Sequence, residues 1–200
     1  MKFKDGDSKI NARSEAILLD ADIDVLAQMN IDLNIRKEWD GSFTNLQRLE
    51  VFSDNEDVIY QEMKMPFPLS NRDFVQYRYY VNNLLHPEEI EKRGLWKSKN
   101  KYWIIILQSV SLTERPAKKG AVQGESTAMI LLEEDEHVPR KVHYKMYSST
   151  DLKGNIPAWV LHQAGGKQAA KVLDQTFRSY RKNESRWRKQ VDLHQKTNNI

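Results

Sequence analysis

The chain has 200 residues, 40% of them hydrophobic and 30% charged, a balance that suits one soluble globular domain and excludes a disordered or fibrous chain. The absence of cysteine removes disulfide scaffolds, thiol nucleophiles and zinc–thiolate sites. A net charge of +3 is too small to announce a nucleic-acid binder, no apolar leader is readable at the start, and the longest apolar run, 102–107, is far short of a membrane span.

From Ile10 to Leu18 the even positions Ile10, Ala12, Ser14, Ala16 and Leu18 alternate with Lys9, Asn11, Arg13 and Glu15, the period of a strand with one covered face. Asp20 or Asp22 then caps a helix carrying Ile23, Leu26 and Met29, and a second short helical piece is expected over 33–39. Strands are expected at 46–52, 58–65, 72–81, 102–110, 122–132 and 141–148, with polar turns at 53–57 and 133–137. Helix returns after Pro157, where Trp159, Val160, Ala169, Leu173, Phe177 and Tyr180 form an apolar stripe. Gly165 and Gly166 interrupt that stripe, as a close-packing or helix-start position or as a hinge. A run of antiparallel strands and a long closing helix make an α+β domain, in which the helix hides one face of the sheet.

The segment 178–196 carries seven Lys/Arg against two acids. It reads as a solvated helix end whose cations suit the helix dipole. A membrane-surface or RNA contact through Trp187 is the minority alternative.

Catalytic signatures are missing. No His-Glu-x-x-His, phosphate-binding loop or dinucleotide glycine fingerprint occurs, and the histidines at 86, 137, 143, 162 and 194 are scattered. The stretch Gly124-Glu-Ser126-Thr-Ala128 echoes a nucleophile elbow but lies in an expected strand. The chain is therefore not expected to be an enzyme, and no metal or cofactor is expected. Polar residues in amphipathic places are more informative. Arg36 and Asp40 stand at i, i+4 beside Trp39, ordinarily a surface ion pair. Phe74, Gln76, Arg78 and Tyr80 share one strand face, so an interior Arg78 needs a partner, and Glu62 on the preceding strand is the nearest in sequence. On that preceding strand, however, Ile59, Gln61, Met63 and Met65 look the more inward set.

Four stretches carry a family resemblance: Arg36-Lys-Glu-Trp39-Asp40; Lys64-Met-Pro66-Phe67-Pro68-Leu-Ser70-Asn71-Arg72-Asp73-Phe74-Val75; Gly120-Ala-Val122; and Asp151-Leu-Lys-Gly154-Asn-Ile156-Pro157-Ala-Trp159. In order and spacing they resemble the START (StAR-related lipid transfer) domain family, and within it the phosphatidylcholine-transfer branch. The resemblance covers residues 1–182, N-terminally short of the family's first helix and strand, and leaves 183–200 as a basic polar tail.

It implies a helix-grip fold, a curved antiparallel sheet wrapped around a long C-terminal helix, enclosing a tunnel for one lipid. It implies that Arg36 and Asp40 contact the lipid headgroup, with Arg36 taking the phosphate. It further implies that Arg78 and Glu62 match a buried ion pair of the sterol-binding branch. The positions matching an aromatic box around choline are Gln61, Phe74 and, approximately, Thr127; only Phe74 is aromatic, so choline selectivity is not expected. Gln61, Met63, Met65, Phe74, Ile105, Thr127 and Trp159 are expected to line the tunnel. The loop 66–71, with Phe67 and Leu69, and the glycines Gly165 and Gly166 are expected to act as a lid. The function so implied is binding one lipid, expected to be a phospholipid of unspecified headgroup, and transferring or presenting it between membranes. The protein would be a cytoplasmic monomer with transient membrane contact and no nucleic-acid partner. The alternatives are a lipid-sensing regulatory or scaffold domain, a sterol binder and, less favoured, an RNA-binding protein acting through the tail.

Overall fold

Alternating apolar positions build a single curved sheet, and three separate helical regions cover it. The computed structural model describes residues 8–96, 98–111, 120–164 and 166–198, with the side chains of 163–169, 172 and 193–198 outside the description. The first half of the chain contains β1 (Lys9–Leu18), α1 (Ile23–Ile31), α2 (Leu33–Trp39), β2 (Phe43–Ser53), β3 (Glu56–Met63), β4 (Arg72–Asn82) and α3 (Pro87–Lys92). The second half contains β5 (Tyr102–Ser109), β6 (Val122–Gln123), β7 (Glu125–Glu134), β8 (Val142–Asp151), α4 (Ala158–Ala164) and α5 (Gly166–Asn198). The strands run β1-β8-β7-β5-β4-β3-β2, each antiparallel to its neighbours, and β6 adds a short parallel pairing to the start of β4. Among the described residues the sheet does not close, and β1 and β2 are its edges.

Local chemistry sets the element ends. Asp22, not Asp20, caps α1, its carboxylate accepting from the N–H groups of Asp24 and Val25. Asp32 ends α1 and caps α2 in turn, accepting from Asn34 and Ile35. The one helix absent from the sequence expectation, α3, starts on Pro87 with Glu88 and Glu89 in its first turn. That signature of a helix N-terminus was readable in the sequence. The expected strand at 122–132 is split at Gly124. A Cβ there would lie 2.5 Å from the Phe74 ring and 3.0 Å from the carbonyl oxygen of Asp151, so the chain passes Phe74 only as glycine.

The central strands β3, β4 and β5 are buried on both faces. On the inner face Leu18, Ile59, Ile105, Leu107, Ile130, Leu132, Val142 and Tyr144 form one core with α1, α2 and α5. On the outer face Tyr79, Val81, Tyr102 and Ile104 pack with Ile90 of α3. The stretch 183–200, expected as a polar tail, instead continues α5 to Asn198, and Trp187 is fully buried with Val191 in the inner core. The Trp187 indole N–H donates to Glu38 over 3.1 Å, and the Tyr180 hydroxyl accepts from the Asp22 N–H over 2.7 Å. Of the cations in this stretch Arg186 and Lys189 are exposed, and Arg188 pairs with Asp22, the cap of α1.

Candidate functional site: a polar belt on the inner face

The middle of the inner face is lined by small side chains. Along β1, β7 and β8 the inward positions include Ala12, Ser126, Ala128, Ser148 and Thr150, and the register sets Ala12 opposite Ser148, Ala128 opposite Ser148 and Ser126 opposite Thr150. All five are only half-buried although they face the helices, whereas the larger Leu132, Val142 and Tyr144 further along are buried. Small residues opposite a helix leave room between the layers, the kind of site where a ligand can lie.

A relay of amides and hydroxyls crosses this floor. The carbonyl oxygen of Ser126 accepts from Gln76 Nε2 at 3.2 Å. That carbonyl can only accept, so Gln76 must turn its NH2 toward it and its Oε1 toward Gln61. Gln61 Nε2 donates to that oxygen, which leaves Gln61 Oε1 facing away, buried, with no hydrogen-bond partner among the described residues. On the other side of Ser126 its N–H donates to Ser109 Oγ, and its hydroxyl meets that of Thr150 at 2.9 Å.

Two arginines share this face and differ in their commitments. Arg78, fully buried, grips Asp57 with both edges of its fork, Nε to Oδ1 at 2.8 Å and Nη2 to Oδ2 at 2.6 Å. Its Nη1 donates to the carbonyls of Ile31 at 2.8 Å and Asn30 at 3.3 Å, the negative end of α1, whose last turn has no basic residue of its own. This corrects the expected Arg78–Glu62 pair. Glu62 lies opposite Asp73 on the other side of β3 and accepts from Asn71 Nδ2 at 2.7 Å, whereas Asp57 is the residue opposite Arg78. The alternation that makes Ile59, Gln61 and Met63 inward puts Asp57 inward as well, two residues earlier. Asp57 also forms part of a cleft of about 770 Å³ between the α1–α2 junction and β2–β4, lined by Lys37 and Arg48 among others.

Arg36 is held less fully. Its side chain is 14% exposed, and its Nε donates to Asp40 Oδ2 at a long 3.3 Å. Its guanidinium lies 4.8 Å from the centre of the Phe43 ring. Among the described residues neither terminal Nη has a hydrogen-bond partner. Burial pushes the Arg36 guanidinium below its ordinary value, the Asp40 charge opposes this, and nearby Arg78 adds to it. Arginine remains protonated under such a load. The result is a cation inside the fold with its fork turned to no anion but Asp40.

Of the expected lining residues, Gln61, Met65, Phe74 and Ile105 are buried and Met63 is half-buried. Ile105 belongs to the core against α1 and α5, while Met65 and Phe74 pack with Leu152, Ile156, Val160 and Leu161 at the opposite end of the sheet. Two of the set point elsewhere. Thr127 is exposed on the outer face, because the inward positions of β7 are Ser126 and Ala128, and Trp159 is 52% exposed while Val160 and Leu161 turn inward. In the loop 66–71 Leu69 packs onto the same apolar cluster as Val160 and Leu161, and Phe67 is 93% exposed. Arg72 ties this loop to the segment before α4, donating to the carbonyls of Ser70, Leu152 and Lys153. Gly166 opens α5, and Gly165 lies outside the described residues.

Residues 2–186 match the START domain family. The chain is 32% identical to the phosphatidylcholine transfer protein of Mus musculus over 141 residues, 70% of this chain and 58% of that protein. To the Homo sapiens protein of the same name it is 30% identical over 149 residues, 74% of this chain and 62% of that one. It thus spans about three fifths of the length of the curated relatives it matches. The crystal structure of human STARD10 superposes with a TM-score of 0.71 at 22% identity, covering 93% of this chain and 68% of that one. Human StAR-related lipid transfer protein 5 superposes with a TM-score of 0.67 at 15% identity, covering 94% of this chain and 87% of that one. These superpositions identify the architecture as the helix-grip fold. The chain belongs to the START domain family.

Proposed function

We propose that this chain binds one phospholipid between the inner face of the sheet and the C-terminal helices, and transfers or presents it between membranes. The observation that carries the reading is Arg36, a cation inside the fold whose terminal donors have no partner among the described residues. A planar fork of this kind suits a phosphate, which accepts two parallel charge-assisted hydrogen bonds, and Asp40 keeps the guanidinium from rotating away. A sterol brings no anion to this position. Burying the acyl chains is worth about 0.8 kcal/mol per methylene, so a carrier must offer a cover nearly as dry as the bilayer. The apolar group of Met65, Phe74, Ile156 and Leu161, with Ala12 and Ala128 of the floor, contributes to one. The names of the curated relatives point the same way.

Membrane contact is assigned to the end of the molecule that carries the loop 66–71 and α4, with Phe67 and Trp159 as its exposed aromatic rings. Among the described residues no helix is long and apolar enough to cross a membrane. The test is phospholipid occupancy by native mass spectrometry after incubation with vesicles. Arg36→Gln should lower occupancy about tenfold, in line with the loss of charge-assisted hydrogen bonds, and Arg36→Lys should fall between. Circular dichroism should show both variants folded. Undiminished occupancy in folded Arg36→Gln overturns the assignment. Vesicle-to-vesicle exchange then separates transfer, which accelerates it, from presentation alone, which does not.

A further inference from the structure

We propose that the phospholipid this chain selects carries a hydrogen-bond donor on its headgroup, a primary ammonium or a hydroxyl, and that Gln61 Oε1 accepts from it. The inference rests on the phospholipid reading above and specifies its headgroup. Gln61 is 5% exposed and sits on the inner face of β3, between Leu46 of β2 and Phe74 of β4 in the ladder. Its amide orientation is dictated from outside. The Ser126 carbonyl fixes Gln76, Gln76 fixes Gln61, and the relay ends on an oxygen with no donor among the described residues. Leaving a buried acceptor unpaired is costly, and native folds rarely do so without a reason.

Three other buried side-chain atoms share this condition, on Asn55, Asn82 and Gln190, but they lie in the β2–β3 turn, at the far end of β4 and in α5. Gln61 alone of the four lies beside the Arg36 site. The Arg36 guanidinium lies over the Phe43 ring, Phe43 pairs with Met63, and Gln61 is the next inward residue of that strand, roughly 7 Å from Met63 at strand spacing. A phosphate held by Arg36 therefore puts the next few atoms of its headgroup within reach of Gln61.

The chemistry of that group follows from what Gln61 lacks. An ammonium N–H or a hydroxyl O–H supplies the missing donor. A trimethylammonium has no N–H, and its attraction is to aromatic faces. Across the ladder Gln61 meets one ring, that of Phe74.

The experiment presents the full chain with vesicles holding equal amounts of phosphatidylethanolamine, phosphatidylglycerol and phosphatidylcholine of identical acyl composition. Bound lipid is read by native mass spectrometry. Phosphatidylethanolamine or phosphatidylglycerol should exceed phosphatidylcholine about tenfold, and which of them leads identifies the donor as ammonium or hydroxyl. Gln61→Leu should level the three lipids. Gln61→Met provides the same test on a more adaptable side chain if the leucine variant does not fold. Phosphatidylcholine bound as well as the other two, or a preference that survives loss of the Gln61 amide, overturns the headgroup assignment while leaving the phospholipid reading intact. Binding of none of the three removes that reading and the headgroup assignment with it.

Discussion

Arg78 and Asp57 stand opposite each other across the β3–β4 ladder and share two parallel hydrogen bonds, sealed between the sheet and the end of α1. The guanidinium thus answers two demands, a buried carboxylate and the unpaired carbonyls of a helix end that lacks cations. Removing Asp57 strands the buried Arg78 charge, which typically costs about 3–5 kcal/mol, whereas removing Arg78 leaves Asp57 its ion pair with Arg48 at 2.9 Å. Asp57→Asn and Arg78→Gln should each lower the urea midpoint strongly and be markedly non-additive in the double variant. Glu62→Gln combined with Arg78→Gln should be additive, because Glu62 faces the other side of β3. Coupling between Glu62 and Arg78 would contradict the observed register.

The same pair shows how far the sequence could be read. Period-2 alternation identified Ile59, Gln61 and Met63 as inward and so already carried Asp57, while nearness in sequence to Arg78 and the family resemblance favoured Glu62. Alternation also placed the strand ends to within three residues, since it is imposed by the covered face of the sheet. It failed where a contact between distant segments decides the outcome. Nothing local to 122–132 announces that Phe74 needs the space of Gly124, and nothing in a basic stretch announces that Trp187 is covered by α1 and α2. Trp159 and Thr127 were misassigned for a related reason, because a resemblance transfers positions but not the rotation of a side chain about its own element.

Gly124 offers a direct check on the site wall. The Phe74 ring is 3% exposed and lies against the Gly124 backbone, with the Asp151 carbonyl closing the other side. Gly124→Ala should therefore destabilise the fold by about 1–3 kcal/mol through overpacking, read as a lowered urea midpoint. Shortening the ring in the double variant Gly124→Ala with Phe74→Leu should recover part of the loss. If the alanine variant is as stable as the parent, the close approach is not present in solution.

Trp187 tests whether the end of α5 is structural. Its side chain is fully buried and its indole N–H reaches Glu38 of α2. Trp187→Ala should cost about 3–5 kcal/mol, the range for emptying a large aromatic site. Truncation after residue 182 should destabilise the domain at least as much, since it also removes Val191 and the Arg188–Asp22 ion pair at 2.6 Å. A separable tail would leave the thermal midpoint unchanged in both cases.

Asp151 predicts how acid acts on the segment leading to α4. Burial pushes its carboxyl up. A hydrogen bond from Ser8, the Lys153 N–H at 2.9 Å and the Lys153 ammonium at 3.0 Å outweigh that and bring it down from 3.8 to about 2. A carboxyl depressed by folding stabilises the fold above its unfolded value and loses that contribution as pH falls through the folded one. The window therefore runs from about pH 4 down to about pH 2. Asp151→Asn keeps an acceptor for the Lys153 N–H but removes the charge, so it should be less stable than the parent at neutral pH. The two should converge as pH falls through that window, because the parent protonates there and the variant has nothing to titrate. Urea midpoints across the range read the difference directly, since every other carboxylate is common to both proteins. A gap that stays constant down to pH 2 would mean that Asp151 titrates as an ordinary carboxyl. Arg72 donates to the carbonyls of Leu152 and Lys153, so the turn that loosens in acid is also the one tied to the loop 66–71.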